Sequence, residues 1–118
     1  INSHIKLYKL CWNINKEMGV NFIKTKRHIN PTNNKQSFER FTYYNINTDT
    51  RYNIVSNVSP EGYLDPKNKS TNYFLVAEGG IDNSKKIKET LNRIDDILLV
   101  FELNLSKIKS ITPFIIND

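Results

Sequence analysis

The apolar side chains change their period at Gly19, and that change restricts the chain to folds in which a helix is laid against strands. Ahead of it Leu7, Leu10, Cys11, Ile14 and Met18 follow one another at intervals of 3, 1, 3 and 4, which makes a single helical stripe. Tyr8 and Trp12 lie one turn apart on its flank. The spacing predicts a helix from about His4 to Met18, with Ser3 as N-cap and Gly19 as the residue that ends it. Beyond Gly19, Val20, Phe22 and Lys24 alternate with Asn21, Ile23 and Thr25, the period of a strand.

The polar stretch Lys26 to Gln36, interrupted by Pro31, reads as a loop. Ser37 to Ile46 and Arg51 to Asn57 both alternate, and the turn-forming run Asn47-Thr48-Asp49-Thr50 between them predicts a hairpin. Residues 58–71 are rich in Pro, Gly, Asp, Asn, Ser and Lys and read as a loop or insertion. A strand over Asn72 to Glu78 follows, then Gly79-Gly80, then a helix capped by Asp82, Asn83 or Ser84 with Ile87, Leu91 and Ile94 on its apolar face. Ile97 to Leu103 is apolar at nearly every position, as expected of a central strand covered on both faces. A short turn near Leu105 to Lys109 and an edge strand at Phe114 to Ile116 complete the expectation. The whole, residues 1–118, reads as one α+β domain: a mixed β-sheet with two helices packed on one face, in the order helix, strand, hairpin, strand, helix, strand.

Composition excludes several classes. With 38% hydrophobic residues and few Gly and Pro, the chain is neither collagen-like nor a disordered tail. Its longest apolar runs fall far short of the roughly 20 residues a membrane helix needs. One cysteine, Cys11, cannot form an internal disulfide, so a reducing, cytoplasmic setting is expected. The chain starts at Ile1, and no charged stretch leading into an apolar run marks a signal peptide in these residues. Sequons at Asn57, Asn68 and Asn104 are chance products of an Asn-rich chain. Asn, Ile and Lys number 17, 15 and 13, the residues of A/T-rich codons, so the net charge of +5 says less than its distribution. Residues 1–60 hold nine Lys/Arg against three acids, net +6, whereas 61–118 hold eight against nine, net −1. Any electrostatic footprint belongs to the first half.

Three stretches carry a resemblance. They are the helix Tyr8-Lys9-Leu10-Cys11-Trp12-Asn13-Ile14-Asn15-Lys16-Glu17-Met18, the strand Tyr52-Asn53-Ile54-Val55-Ser56-Asn57, and the segment from Leu64-Asp65-Pro66 to Tyr73-Phe74-Leu75. Together with Arg93-Ile94 and Leu105 to Ser110, they resemble the small Bacteroidota-restricted family known by its signature, IPExxxVDY. Pro66 and Tyr73 stand at the signature's Pro and Tyr, while its Ile, Glu, Val and Asp are replaced by Asp65, Lys67, Thr71 and Asn72. Chemistry that depended on those two acids would be lost here. The resemblance implies a cytoplasmic protein from an A/T-rich source and brings no established activity.

The residue inventory argues against an enzyme. Asp95-Asp96 are neighbours on a helix end and face apart. His4, His28 and Cys11 make neither a zinc set nor a nucleophile and base pair. Gly79-Gly80 precedes a helix but lacks the Lys-Ser/Thr of a P-loop, and Asp82 occupies the anion position. No catalytic residue, metal or cofactor is expected. Lys24, Lys26, Arg27 and Lys35, with His28, Arg40 and Arg51, lie near the aromatics Tyr43, Tyr44 and Tyr52. Cations interleaved with aromatic faces can hold phosphates and stack bases, although no RNP signature of an RNA recognition motif is present. The expectation is an accessory protein docking on RNA or a ribonucleoprotein such as the ribosome through Lys24, Lys26, Arg27 and Lys35, with no DNA-specific motif. The alternative is a regulatory domain that pairs with another protein through an edge strand or binds a small ligand between sheet and helices.

Overall fold

The computed structural model describes residues 1–79, 84–95 and 97–99. Helix α1, Leu7–Met18, forms over the expected stripe and buries Leu7, Leu10, Cys11 and Ile14, with Met18 half-buried beside them. Its C-terminus is as expected: Gly19 takes φ 64°, and its N–H reaches the Asn15 carbonyl. Its start is not. Lys6, extended and without a side-chain cap, holds the N-cap position, and its carbonyl accepts from the N–H groups of Lys9 and Leu10 at 3.1 and 3.0 Å. Ser3 belongs instead to strand β1, Asn2–Ser3, where its N–H donates to Asn72 Oδ1 at 2.8 Å. A long-range partner has drawn it away from the helix end.

Strands β2, Ile23–Lys24, β5, Arg40–Asn45, β6, Thr50–Ser56, and β9, Tyr73–Glu78, form a four-stranded sheet in the order β2-β5-β6-β9, antiparallel at every junction. The expected hairpin is β5–β6, in register from Arg40 opposite Val55 to Asn45 opposite Thr50. Its turn places Asp49 at φ 49°, in the left-handed region that Asp tolerates better than most side chains. Gly79, at φ 79°, follows β9 where an added Cβ would stand 2.8 Å from the Asp49 carbonyl oxygen, so this junction needs glycine.

Alternation assigns the two faces of the sheet. Tyr52, Ile54 and Tyr73 join Phe22, the α1 stripe, and Ile87, Leu91, Ile94 and Ile97 in one core, with Phe41, Tyr43 and Leu75 packed against it. Ile87 and Leu91 come from α2, Ser84–Leu91, so both helices pack on this face and the fold is α+β as expected. Val55 and Phe74 point to the opposite face, where Phe38 and Leu64 cover them and Val76 packs against the group.

Short elements provide that second cover. Strand β3, His28–Ile29, forms inside the stretch expected to be loop and pairs with β4, Ser37–Phe38, at the start of the stretch expected to be strand. Residues 58–71 likewise hold a small hairpin, β7, Val58–Ser59, with β8, Gly62–Tyr63, and a 3-10 turn over Pro66–Asn68. Ile97 to Leu103, expected as the central strand, does not enter the main sheet in its described part: β10, Ile97–Leu99, pairs antiparallel with β1. An apolar run does not record a strand's position in the sheet, and the interior places belong to β5 and β6. The expected caps Asp82 and Asn83, and the segments Leu105 to Lys109 and Phe114 to Ile116, lie outside the described residues.

Leu10 and Leu91 are almost wholly buried, at 0% and 2% exposure, from the two helices onto one core. Truncating either to Ala should cost about 2–5 kcal/mol, read as a lower urea midpoint at an unchanged slope. A midpoint equal to wild type would show that the stripe is not seated on the sheet.

Candidate nucleic-acid interface

The segment leaving β2 is built on backbone bonds to β5. The N–H of Thr25 donates to the Arg40 carbonyl at 3.2 Å. Lys24, Lys26, Arg27 and Lys35 are all exposed. The first three lie on the run from β2 to β3, and Lys35 lies in the turn joining β3 to β4, where its N–H donates to Asn33 Oδ1 at 3.2 Å. Among the described residues Lys24, Lys26 and Lys35 have no carboxylate partner. Arg27 is partly engaged: its Nε donates to Ser37 Oγ and its Nη2 to the Ser37 carbonyl, both at 2.9 Å. Ser37 also donates from its N–H to Glu61 Oε1 at 3.3 Å, so the fold brings this distant carboxylate to the basic edge.

Arg40 has a different place from the other cations. It is 3% exposed, its Nε donates to the Lys26 carbonyl at 3.0 Å, and its Nη1 donates to Asn53 Oδ1 at 3.0 Å. A buried guanidinium needs such acceptors to offset its lost hydration. Arg40 therefore fixes the backbone of the basic segment and does not face a ligand. Its two-residue offset from Phe38, which is fully buried, was the available signal in the sequence.

The aromatics also divide. Tyr52 is 7% exposed and belongs to the core, stacked with half-buried Tyr43 at 5.9 Å between ring centroids, and Tyr43 in turn meets Phe22 at 5.6 Å. Of the three tyrosines beside the basic run only Tyr44 is exposed, with the Arg51 guanidinium 5.9 Å from its ring centroid. Its hydroxyl donates to Asp49 Oδ1 at 2.6 Å, a bond that raises its pKa. Exposed aromatic surface lies elsewhere, on α1, where Tyr8 and Trp12 are 63% and 60% exposed.

Asn57, noted in the sequence only as a sequon and as the end of the Tyr52 to Asn57 strand, is wholly buried. Its Nδ2 donates to the carbonyls of Asn68 and Thr71, both at 2.9 Å, and its Oδ1 accepts from the Asp65 N–H at 2.8 Å. The side chain thus closes residues 57–71 against the sheet and is inaccessible to glycosylation in the folded chain.

Burial pushes the Cys11 thiol up to about 12, which keeps it protonated and unreactive. Among the described residues no three His, Cys, Asp or Glu side chains are grouped closely enough to hold a metal ion. No helix among them is long and apolar enough to cross a membrane. No family model, no curated protein and no solved structure matches the chain.

Two measurements check this geometry. Asn57→Ala strands two carbonyls and one N–H and should cost about 2–4 kcal/mol, since each unpaired buried group carries about 1–3 kcal/mol before relaxation; guanidinium denaturation against wild type reads it, and no change would dismiss the clamp. Cys11 should resist a colorimetric disulfide reagent at pH 8 in buffer and react at the unfolded rate in denaturant. Rapid labelling of the native chain would contradict its burial.

Proposed function

We propose that this chain is a non-enzymatic accessory protein that docks on RNA or a ribonucleoprotein such as the ribosome, with Lys24, Lys26, Arg27 and Lys35 as its phosphate contacts. The observation that carries the reading is the exposure of all four on one continuous stretch of β2, β3 and the following turn, whose backbone is anchored from beneath by buried Arg40. Fixed backbone with mobile ammonium groups suits a polyanion, because phosphate contacts need charge and position more than shaped pockets. A cytoplasmic location and membership of the IPExxxVDY family belong to the same proposal, the second supported by the three stretches that carry the resemblance.

Docking on a protein is the second reading. Ile23 and Ile29 favour it, standing 54% and 57% exposed on the same stretch as the cations. Counterion release separates the two, since a phosphate contact makes affinity fall steeply with salt and an apolar contact does not.

Binding of a labelled single-stranded RNA at several salt concentrations is the test, with the Lys24→Gln, Lys26→Gln, Arg27→Gln, Lys35→Gln quadruple variant beside wild type. On a single strand each lost phosphate contact removes about 0.7 from the slope of log K against log salt, so the variant should lose about 2–3. Its urea midpoint should stay at the wild-type value. Equal slopes and affinities would transfer the site to the protein-docking reading.

A further inference from the structure

The solvent face of α1 carries a group of residues that the basic segment does not account for. Tyr8 and Trp12, one turn apart, leave more than half their surface in water, although Trp is highly buried on average. Lys9 and Lys16 are exposed on the same helix, and Lys6 stands at its start. The first turn holds no acid, and Glu17 is the helix's one carboxylate. The Lys16 ammonium sits 5.2 Å from the centroid of the Trp12 ring. This is a cationic surface with flat, polarisable rings, complementary to a chain that is anionic along its backbone and flat at its bases.

We infer that Tyr8 and Trp12 form a stacking site for an unpaired RNA base, flanked by Lys9 and Lys16 as phosphate contacts. The inference rests on the RNA reading given above and adds to it the part of the ligand that the lysine segment cannot hold. Residues four apart on a helix have Cβ atoms about 5–6 Å apart. Two exposed rings at that spacing offer neighbouring flat surfaces on which a base can stack. Lys16 and Tyr8 are each one turn from Trp12, in opposite directions along the helix, so the Lys16 ammonium and the Tyr8 ring both flank the indole.

The stacking site adjoins the basic segment. Asn15, next to Lys16, donates from Nδ2 to the Phe22 carbonyl at 3.1 Å and accepts from the Phe22 N–H at 2.7 Å. Lys24 follows two residues later, about 7 Å along an extended strand. The Asn15 bonds thus tie the helix that carries the rings to the segment that carries Lys24.

Trp12 is the only tryptophan, so its emission reports this site directly. Titration with a short oligouridylate should quench it in proportion to the bound fraction measured by anisotropy of the labelled oligonucleotide. Tyr8→Ala and Trp12→Ala should each weaken binding about tenfold, within the range for loss of one stacked base, at an unchanged salt slope; Trp12→Phe should recover most of the loss. Unaltered emission at saturation, or full affinity in both Ala variants, would overturn the stacking site and leave the lysine segment standing. A quench with an unaltered slope in the quadruple variant would do the reverse. No binding of oligouridylate by wild type would overturn both, and a blue shift on phosphatidylserine–phosphatidylcholine vesicles without a response to RNA would assign the rings to a lipid surface instead.

Discussion

Strand β6 has to be covered on both faces at once, and the remaining architecture answers that requirement. Ile54 is fully buried against the helices, while Val55, its neighbour, is 1% exposed on the opposite side. Successive residues of a strand point to opposite faces. Burying both, at about 1.5–3 kcal/mol each, demands a layer on either side. Helices α1 and α2 supply one, through a broad apolar core. Among the described residues the other holds Phe38, Val55, Leu64 and Phe74, with Val76 beside them, a smaller apolar group than the first. Polar side chains also hold its covering segments. Asn57 binds the 57–71 segment at three points, and Arg40 binds the run from β2 through the Lys26 carbonyl.

This division explains what could be read from the sequence. The α1 stripe and the Ile87, Leu91, Ile94 pattern each repeat, so each position corroborates the others; these residues are buried or, for Met18, half-buried, although α2 ends at Leu91 and Ile94 reaches the core from just beyond it. The β5–β6 hairpin was legible for a related reason, since two alternating runs and a polar turn agree on one register. Two-residue strands have no period to detect. Strands β1, β3, β7 and β8 are of this kind, and residues 26–36 and 58–71 consequently read as loop. The start of α1 failed in the same way: Ser3 is a good cap by local chemistry, and the Asn72 side chain competes for its backbone.

The cations show the same limit at the candidate site. Lys24, Lys26, Arg27 and Lys35 sit among polar neighbours, and their exposure was legible. Alternation required that some tyrosines of the hairpin face inward without saying which, and the structure turns Tyr52 in and Tyr44 out. Arg40 counted in the sequence as one more positive charge on the basic half. Its register with Val55 and Phe74 across the sheet places it on the compact second layer, where it meets Asn53 Oδ1. The Asn53 Nδ2 beside it is buried without a partner among the described residues, a sign that this layer was settled around the guanidinium and not around the amide.

In the proposed site, buried Arg40 and the exposed cations above it take two separate tasks. A guanidinium can donate to several acceptors in a fixed plane, which suits it to span the Lys26 carbonyl and Asn53 where a lysine ammonium would leave the geometry loose. The lysines, strongly hydrated and conformationally free, suit the outer surface, where charge is needed and a rigid shape is not. The half-molecule charge of +6 therefore overstates the cationic surface by at least the one buried residue. Loss of binding on changing Arg40 would report the collapse of the support under Lys26, whereas loss on changing Lys24 or Lys35 would report the contact itself. The salt slope tells these apart, because a support that gives way lowers the population of competent molecules without changing how many ions each one releases.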